Sequence, residues 1–177
     1  MSEEFSRYHR VFAHAALENR GVGLVAAVNH RIAGSAIGYV AGFEPPKIGV
    51  IYYVYVKREH RGRGLGKVLV ASLEELLENM GAEILIASTR GHNIASRRLF
   101  NSMGYSELTW ENVEELLGGE KARALEMASC SYEDDIIMVK PYVKLLNIEL
   151  DVENYEDLWF NICYKPWIEY RNSHMRH

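Results

Sequence analysis

Residues 56–69, VKREHRGRGLGKVL, constrain this chain more than any other segment. They join an almost wholly β-branched and aromatic run, residues 49–56 (GVIYYVYV), to an amphipathic stretch, with Gly62, Gly64 and Gly66 at alternate positions between. The apolar run suits a central strand buried on both faces. After it, Leu65, Leu69, Leu73, Leu76, Leu77 and Met80 recur at three- and four-residue spacing, so a helix is expected over residues 65–80, ended by Gly81. Glycines allow unusual torsions and close approach of the backbone to a ligand. The first N–H groups of a helix lack partners and sit at the positive end of its dipole. An anion is their natural occupant, above all a pyrophosphate that spans several amides. Arg61, Arg63 and Lys67 add attraction.

Other glycine loops fit less well. A P-loop needs Ser or Thr after its lysine, and Lys67 is followed by Val68. A dinucleotide loop places GxGxxG directly after the strand, whereas this spacing is GxGxG and polar residues intervene. A tight turn without a ligand requires neither so many glycines nor so many cations.

The surrounding pattern is mixed. Residues 5–19 read as a helix with Phe5, Tyr8, Phe12 and Ala15 on one face. Residues 22–29 and 35–43 are β-rich runs forming a hairpin. Strands are expected at residues 83–87, 105–108 and 136–139, and a helix at residues 93–103 closed by Gly104. Residues 109–135 read as a helical insertion interrupted by Gly118-Gly119. This order predicts an α+β domain with a mixed, mostly antiparallel central sheet flanked by helices.

Composition excludes several classes. A net charge of −4 argues against broad nucleic-acid binding. No apolar run approaches the roughly 20 residues that cross a bilayer, and the first residues lack a signal peptide's apolar core, so the cytosol is expected. Cys130 and Cys163 lack metal-site spacing and are expected as free thiols; no metal is expected. Cations crowd between Lys57 and Lys67, while residues 111–135 are rich in Glu and Asp.

Further along, Asn93, Leu99, Phe100, Gly104 and Tyr105 follow the order N-x(5)-L-F-x(3)-G-Y. Arg61-x-x-Gly64-x-Gly66, with its preceding strand and following helix, resembles the Q/R-x-x-G-x-G/A signature of the GNAT N-acetyltransferases. The second set is similar to that family's N-x(5)-L-Y-x(3)-G-F/Y. The resemblance spans residues 22–139 and implies acetyl-CoA as cosubstrate, with direct attack of an amine on the thioester. It implies that Val54, Tyr55 and Val56 border a slot for the pantetheine arm, where a bulge splays the strand. Arg61, Gly62, Arg63, Gly64, Leu65, Gly66 and Lys67 would hold the pyrophosphate. Asn93 would contact the cofactor near its reactive end, and is equally a natural N-cap. Phe100 would pack against the cofactor arm. Arg97 and Arg98 read as solvated surface cations rather than phosphate ligands.

Two residues depart from the family. Many members carry a proton-donating Tyr at the position of Phe100, and members acting on protein N-termini often carry a Glu base at the position of Ser88. The general acid and base are therefore open, with Tyr132, Tyr105, Tyr53 and Glu44 as candidates, and Tyr52, Tyr55, His92 or water behind them. Residues 131–140 (SYEDDIIMVK) resemble the last hairpin of members that acetylate protein or peptide N-termini. With the acidic insertion, this points to a cationic primary amine as acceptor; a polyamine or amino sugar stays open. The alternative function is a catalytically degenerate acetyl-CoA-binding module.

The resemblance divides the chain into residues 1–140, an acetyltransferase domain with a short N-terminus, and residues 141–177, an extension. There Leu146, Ile148, Leu150 and Val152 alternate with polar residues, predicting a strand. Residues 155–164 read as a helix stopped by Pro166. The extension is expected either as a surface appendage or as a replacement for the family's first strand and helix, within one chain or exchanged in a homodimer.

Overall fold

The structure, a computed structural model, describes residues 3–174, with side chains described for residues 9–173. The expected placements of the Phe5 and Tyr8 side chains lie outside that range. A helix α1 (Glu3–Glu18) precedes strands β1 (Gly21–Val28), β2 (Arg31–Ala41) and β3 (Ile48–Val56). Asn29 and His30 both adopt positive φ, the torsions a two-residue hairpin turn needs, so β1 and β2 pair antiparallel through a tight turn. Helix α2 (Leu65–Asn79) follows the glycine loop, and Gly81 at φ 96° ends its run as expected.

Strand β4 (Ile84–Thr89), helix α3 (Ile94–Asn101) and strand β5 (Ser106–Thr109) come next. The insertion then forms α4 (Trp110–Leu117) and α5 (Gly119–Ser129), separated at Gly118. Strand β6 (Ile136–Lys140) returns between β4 and β5, giving the order β1-β2-β3-β4-β6-β5. Among the described residues, only the β3–β4 pair is parallel, as the crossover through α2 requires. The mixed, mostly antiparallel sheet is thus the architecture expected from sequence.

Side-chain alternation sorts the core into two layers. On one face, Leu69, Val70, Leu73 and Leu77 of α2 pack with Ala36, Val40, Ile51, Leu85, Ala87, Phe100, Tyr105 and Met138. On the other, Tyr39, Ile48, Val50, Ile84, Ile86, Ile137 and Val139 meet Leu125 and Ala128 of α5, together with the C-terminal helices. Among the described residues, no helix is long and apolar enough to cross a membrane.

Three expectations about the end of the chain are overturned. Residues 146–152 form no strand: short helix α6 (Tyr142–Leu145) leads through a turn into an irregular connection to α7 (Glu153–Trp159). Their alternation holds only from residue 148 on: Ile148 and Leu150 are buried and Glu149 and Asp151 exposed, while Leu146, of the same parity as Ile148, is exposed. Alternation reports burial of every second side chain, and this stretch gains that burial without a ladder partner. Pro166 does not stop the helix either. A π-helical turn over Phe160–Tyr164, with the Lys165 N–H bonded to the Phe160 carbonyl, widens the backbone ahead of α8 (Lys165–His174). The proline sits where the widened register spares it the usual clash. Finally, Cys130 and Cys163 are not free thiols but a disulfide, with Cα atoms 5.7 Å apart. Folding brings α5 against the C-terminal helices, a proximity that the sequence separation of 33 residues concealed.

Candidate active site

Strands β3 and β4 part early. Their ladder holds only Ile48–Ile84, Gly49–Leu85 and Val50–Ile86. Across β3, the pairing with β2 jumps from Gly38–Ile51 to Ile37–Tyr53, so Tyr52 is the extra residue of a bulge. The bulge re-aims the strand and puts two successive rings on one side: Tyr52 and Tyr53 lie 4.4 Å apart, and Tyr52 meets Tyr39 of the same face at 5.3 Å. Burial follows the split, since Ile48–Ile51 are buried and every residue from Tyr52 to Val56 is partly open. Val54, Tyr55 and Val56 therefore edge a slot whose other lip is the end of β4. Backbone groups on that edge of β3 have no β4 ladder partner, so an extended ligand can pair there as an added strand would. Burial of β3 on both faces, expected along its whole length, holds only for its first half.

The glycine loop continues from this strand. Arg61 Nε donates a 2.9 Å hydrogen bond to the Val56 carbonyl, tying loop to strand end. Gly62 and Gly64 adopt φ 72° and 80°, torsions that L side chains rarely take, and nothing lies within 4 Å of where their Cβ atoms would stand. Gly64 caps α2, and the Val68 N–H is the first bonded back to it, at 3.2 Å. The amides of Leu65, Gly66 and Lys67 thus have no intrahelical acceptor. With Arg63 and Lys67 exposed beside them, this open, amide-lined cradle fits a pyrophosphate.

The second motif follows expectation at Asn93 and departs from it at Arg97. Asn93 caps α3 by accepting from the Ser96 N–H at 3.2 Å. Arg97 is neither a solvated cation nor free for a phosphate: its guanidinium donates to both Glu107 carboxylate oxygens, at 3.0 and 2.6 Å, and to the Gly91 carbonyl at 2.7 Å. Phe100 is buried in the same layer as Ala87 and stacks edge-on against Tyr105 at 5.0 Å. Tyr105 lies beside Glu74 and under Lys140; Lys140 pairs with Leu85, toward the closed end of the slot. Burial, with Glu74 adding to it, pushes the Tyr105 phenol far above its ordinary range. Glu44 is placed away from the slot, before β3 begins, where its backbone is held by Asn154. His92 is exposed beside Asn93. Tyr53 does border the slot and meets His9 of α1 at 5.1 Å. Tyr132 is exposed and meets Trp159 at 6.3 Å.

A group of polar residues at the end of β4 escaped the sequence reading of catalysis. Ser88 Oγ donates a 2.6 Å hydrogen bond to Asp134 Oδ2. Arg90 pairs with Glu133, and Asp135 accepts from the Gly91 N–H at 3.0 Å. Trp110 Nε1 fastens the same loop through the Asp134 carbonyl at 3.0 Å. Burial raises the Asp134 pKa above an ordinary aspartate's, against the opposing Ser88 hydrogen bond and Arg90 charge. Burial likewise lowers the pKa of His9, helped by Arg90 and opposed by Glu133. Two features of the sequence hinted at it: Ser88, a hydroxyl where the resembled family often has a carboxylate, and the acidic run Glu133, Asp134 and Asp135 before β6. A separate cleft of about 520 Å³ lies between α1 and α8, lined by His14, Glu18, Asn19 and Lys165, and shares no residue with the slot.

A bulged strand, a parallel neighbour that splays from it and a glycine-capped helix define an acyl-CoA-binding architecture. Residues 2–105 match the acetyltransferase (GNAT) family, and the chain belongs to that family, whose acyl donor is acetyl-CoA. It is 32% identical over 84 residues to an L-methionine sulfoximine/L-methionine sulfone acetyltransferase of Salmonella typhimurium, covering 47% of this chain and 49% of that protein. It is 31% identical over 83 residues to the L-amino acid N-acyltransferase MnaT of Escherichia coli, covering 46% and 48%. The chain spans about half the length of these curated relatives. Among solved structures, the fold is similar to PaiA N-acetyltransferase of Thermoplasma acidophilum, determined with coenzyme A, with TM-score 0.53, 14% identity and coverage of 75% and 68%.

Proposed function

We propose that this chain transfers the acetyl group of acetyl-CoA to a primary amine by direct attack. One observation carries the reading: the free edge of β3 is joined to the glycine-capped N-terminus of α2 by a short loop that Arg61 ties back to the Val56 carbonyl. One ligand with an extended, amide-bearing arm and a pyrophosphate satisfies both. In this reading Val54, Tyr55 and Val56 pair with the arm, while Gly62, Arg63, Gly64, Leu65, Gly66 and Lys67 hold the pyrophosphate. Asn93 and Phe100 border the reactive end. A backbone N–H of β3 then receives the oxyanion as the tetrahedral intermediate forms.

The acceptor enters from the α1 face, between Tyr53 and the loop carrying Glu133, Asp134 and Asp135. Those carboxylates favour a cationic amine, either a peptide N-terminus or a small molecule. The acidic helix α4 holds this loop through Trp110, whose Nε1 donates to the Asp134 carbonyl.

Isothermal titration with CoA, followed by a thiol-release assay with acetyl-CoA over peptides, spermidine and glucosamine, tests the proposal. Micromolar CoA binding with turnover of at least one amine is the expected result. The degenerate-module reading is favoured by one feature, the buried Phe100 where the family's proton-donating Tyr would stand. Tight CoA binding with no turnover of any amine would select that second reading; no CoA binding would reject both.

A further inference from the structure

We propose that Asp134, positioned by Ser88, takes the proton from the attacking amine, an inference that rests on the acetyltransferase reading above. A serine hydroxyl is not a base at neutral pH. The 2.6 Å bond from Ser88 Oγ nevertheless brings a carboxylate to its side from 46 residues away, out of the turn that precedes β6. Ser88 lies two residues beyond Ile86, the last β4 residue laddered to β3. Alternation puts it on the face of Ile84 and Ile86, the face that also holds Tyr52 and Tyr53. Asp134 therefore borders the slot from the side opposite α2 and its glycine loop. A thioester reaching through the slot meets its amine there.

The carboxylate is held rather than loose. Ser88 fixes Oδ2 and Trp110 fixes the Asp134 carbonyl, while Oδ1 accepts no hydrogen bond among the described residues. The charged groups around it come from three elements. Arg90 follows β4 and is paired with Glu133; Glu133 and Asp135 flank it in the loop; His9 approaches from α1. Burial is the largest influence on its affinity for protons and raises it, and Asp135 and Glu133 add in the same direction. A raised carboxylate is a better proton acceptor near neutral pH than an ordinary aspartate.

The reaction balances with these groups. The acceptor, arriving protonated, first gives one proton to water, and the lone pair so freed forms the C–N bond to the thioester carbonyl carbon. Collapse of the tetrahedral intermediate breaks the C–S bond, and its electron pair leaves on sulfur. The nitrogen proton passes to Asp134 Oδ1 and then to solvent, while the thiolate takes a proton from water. Asp134 acts on a reacting atom; Ser88 acts through Asp134.

The test compares wild type with Asp134→Asn, Asp134→Glu and Ser88→Ala, using whichever of the peptide, spermidine or glucosamine acceptors wild type acetylates. Asp134→Asn should bind CoA as wild type does, lose about a hundredfold or more in kcat, and lose the acidic limb of its kcat/KM profile. Asp134→Glu should recover part of the rate with a displaced limb. Ser88→Ala removes a bond to the ionised form, so its limb should move to higher pH. An Asp134→Asn enzyme within twofold of wild type, or one that keeps the limb, overturns the assignment. If that variant fails to fold, an unmoved limb in Ser88→Ala overturns it instead. A wild type that binds CoA but acetylates none of the amines fails the broader reading, and that failure is visible before any variant is made.

Discussion

Arg61 Nε and the Val56 carbonyl, 2.9 Å apart, close the polar connection between β3 and α2 into a compact loop. The arginine of the signature thus serves the loop's shape as well as its charge. Arg61→Ala removes one exposed hydrogen bond and leaves the core untouched. CoA affinity should fall about three- to tenfold, in keeping with one modest hydrogen bond, while the melting temperature changes little. Isothermal titration and thermal denaturation on the same samples check this. Unchanged affinity would show that the loop holds its form without the tether.

Gly64 and Gly66 separate what the fold needs from what the ligand needs. Gly64 has φ 80°, so Gly64→Ala should cost about 1–2 kcal/mol of stability through backbone strain alone. Gly66 has no such torsion, and an added Cβ would meet Leu99 at an ordinary 3.5 Å. Gly66→Ala should therefore melt no lower than wild type, and helix propensity favours a slight rise. If a pyrophosphate lies against this backbone, the same variant should lose CoA affinity. Full affinity in Gly66→Ala would place the phosphates elsewhere.

Glu107 and Arg97 predict a pH dependence of stability. The Arg97 hydrogen bonds, the largest influence, hold the Glu107 carboxyl below its ordinary pKa. A carboxylate depressed in the folded state contributes stability above its unfolded pKa, and loses it as pH falls through the folded value. Glu107→Gln should therefore melt below wild type at neutral pH, with the two curves converging as pH falls below the unfolded carboxylate's value of about 4.3. A constant gap across that range would mean that packing, not ionisation, sets the difference.

Sequence exposed what is local. The glycine loop, the periodicity of α2 and the caps at Gly81 and Asn93 are each written within a few neighbouring residues. The slot is only half legible, because Tyr52–Val56 have the composition of a buried strand. Their exposure depends on β4 turning away after Ile86, a relation between strands that no window contains. The Ser88–Asp134 contact spans 46 residues: the displaced family carboxylate and the acidic run before β6 were each legible, but not that folding pairs them. At the C-terminus, period-two burial at Ile148 and Leu150 imitates a strand, and a π turn lets the helix run past Pro166.

The C-terminal helices supply the last prediction. Tyr155 and Ile162 are fully buried in the layer beneath β2 and β3, with Leu158 and Cys163 beside them. Tyr155 also donates to the Pro46 carbonyl at 3.1 Å, and Asn154 holds the backbone of Phe43 and Glu44. Each large apolar side chain buried there contributes about 1.5–3 kcal/mol, and a domain's whole stability is about 5–15 kcal/mol. A chain ended after residue 152 should therefore lose cooperative folding. The disulfide contributes separately: closing a loop of 33 residues stabilises by about 3–4 kcal/mol in the chain-entropy account. Cys130→Ala with Cys163→Ala should melt lower than the oxidised wild type yet still fold, and a reductant should lower the melting temperature of wild type alone. Ile162→Ala, which keeps the disulfide, should cost about 2–5 kcal/mol. If the truncated chain melts at the wild-type temperature with the same mass in solution, these helices are an appendage and the core closes without them.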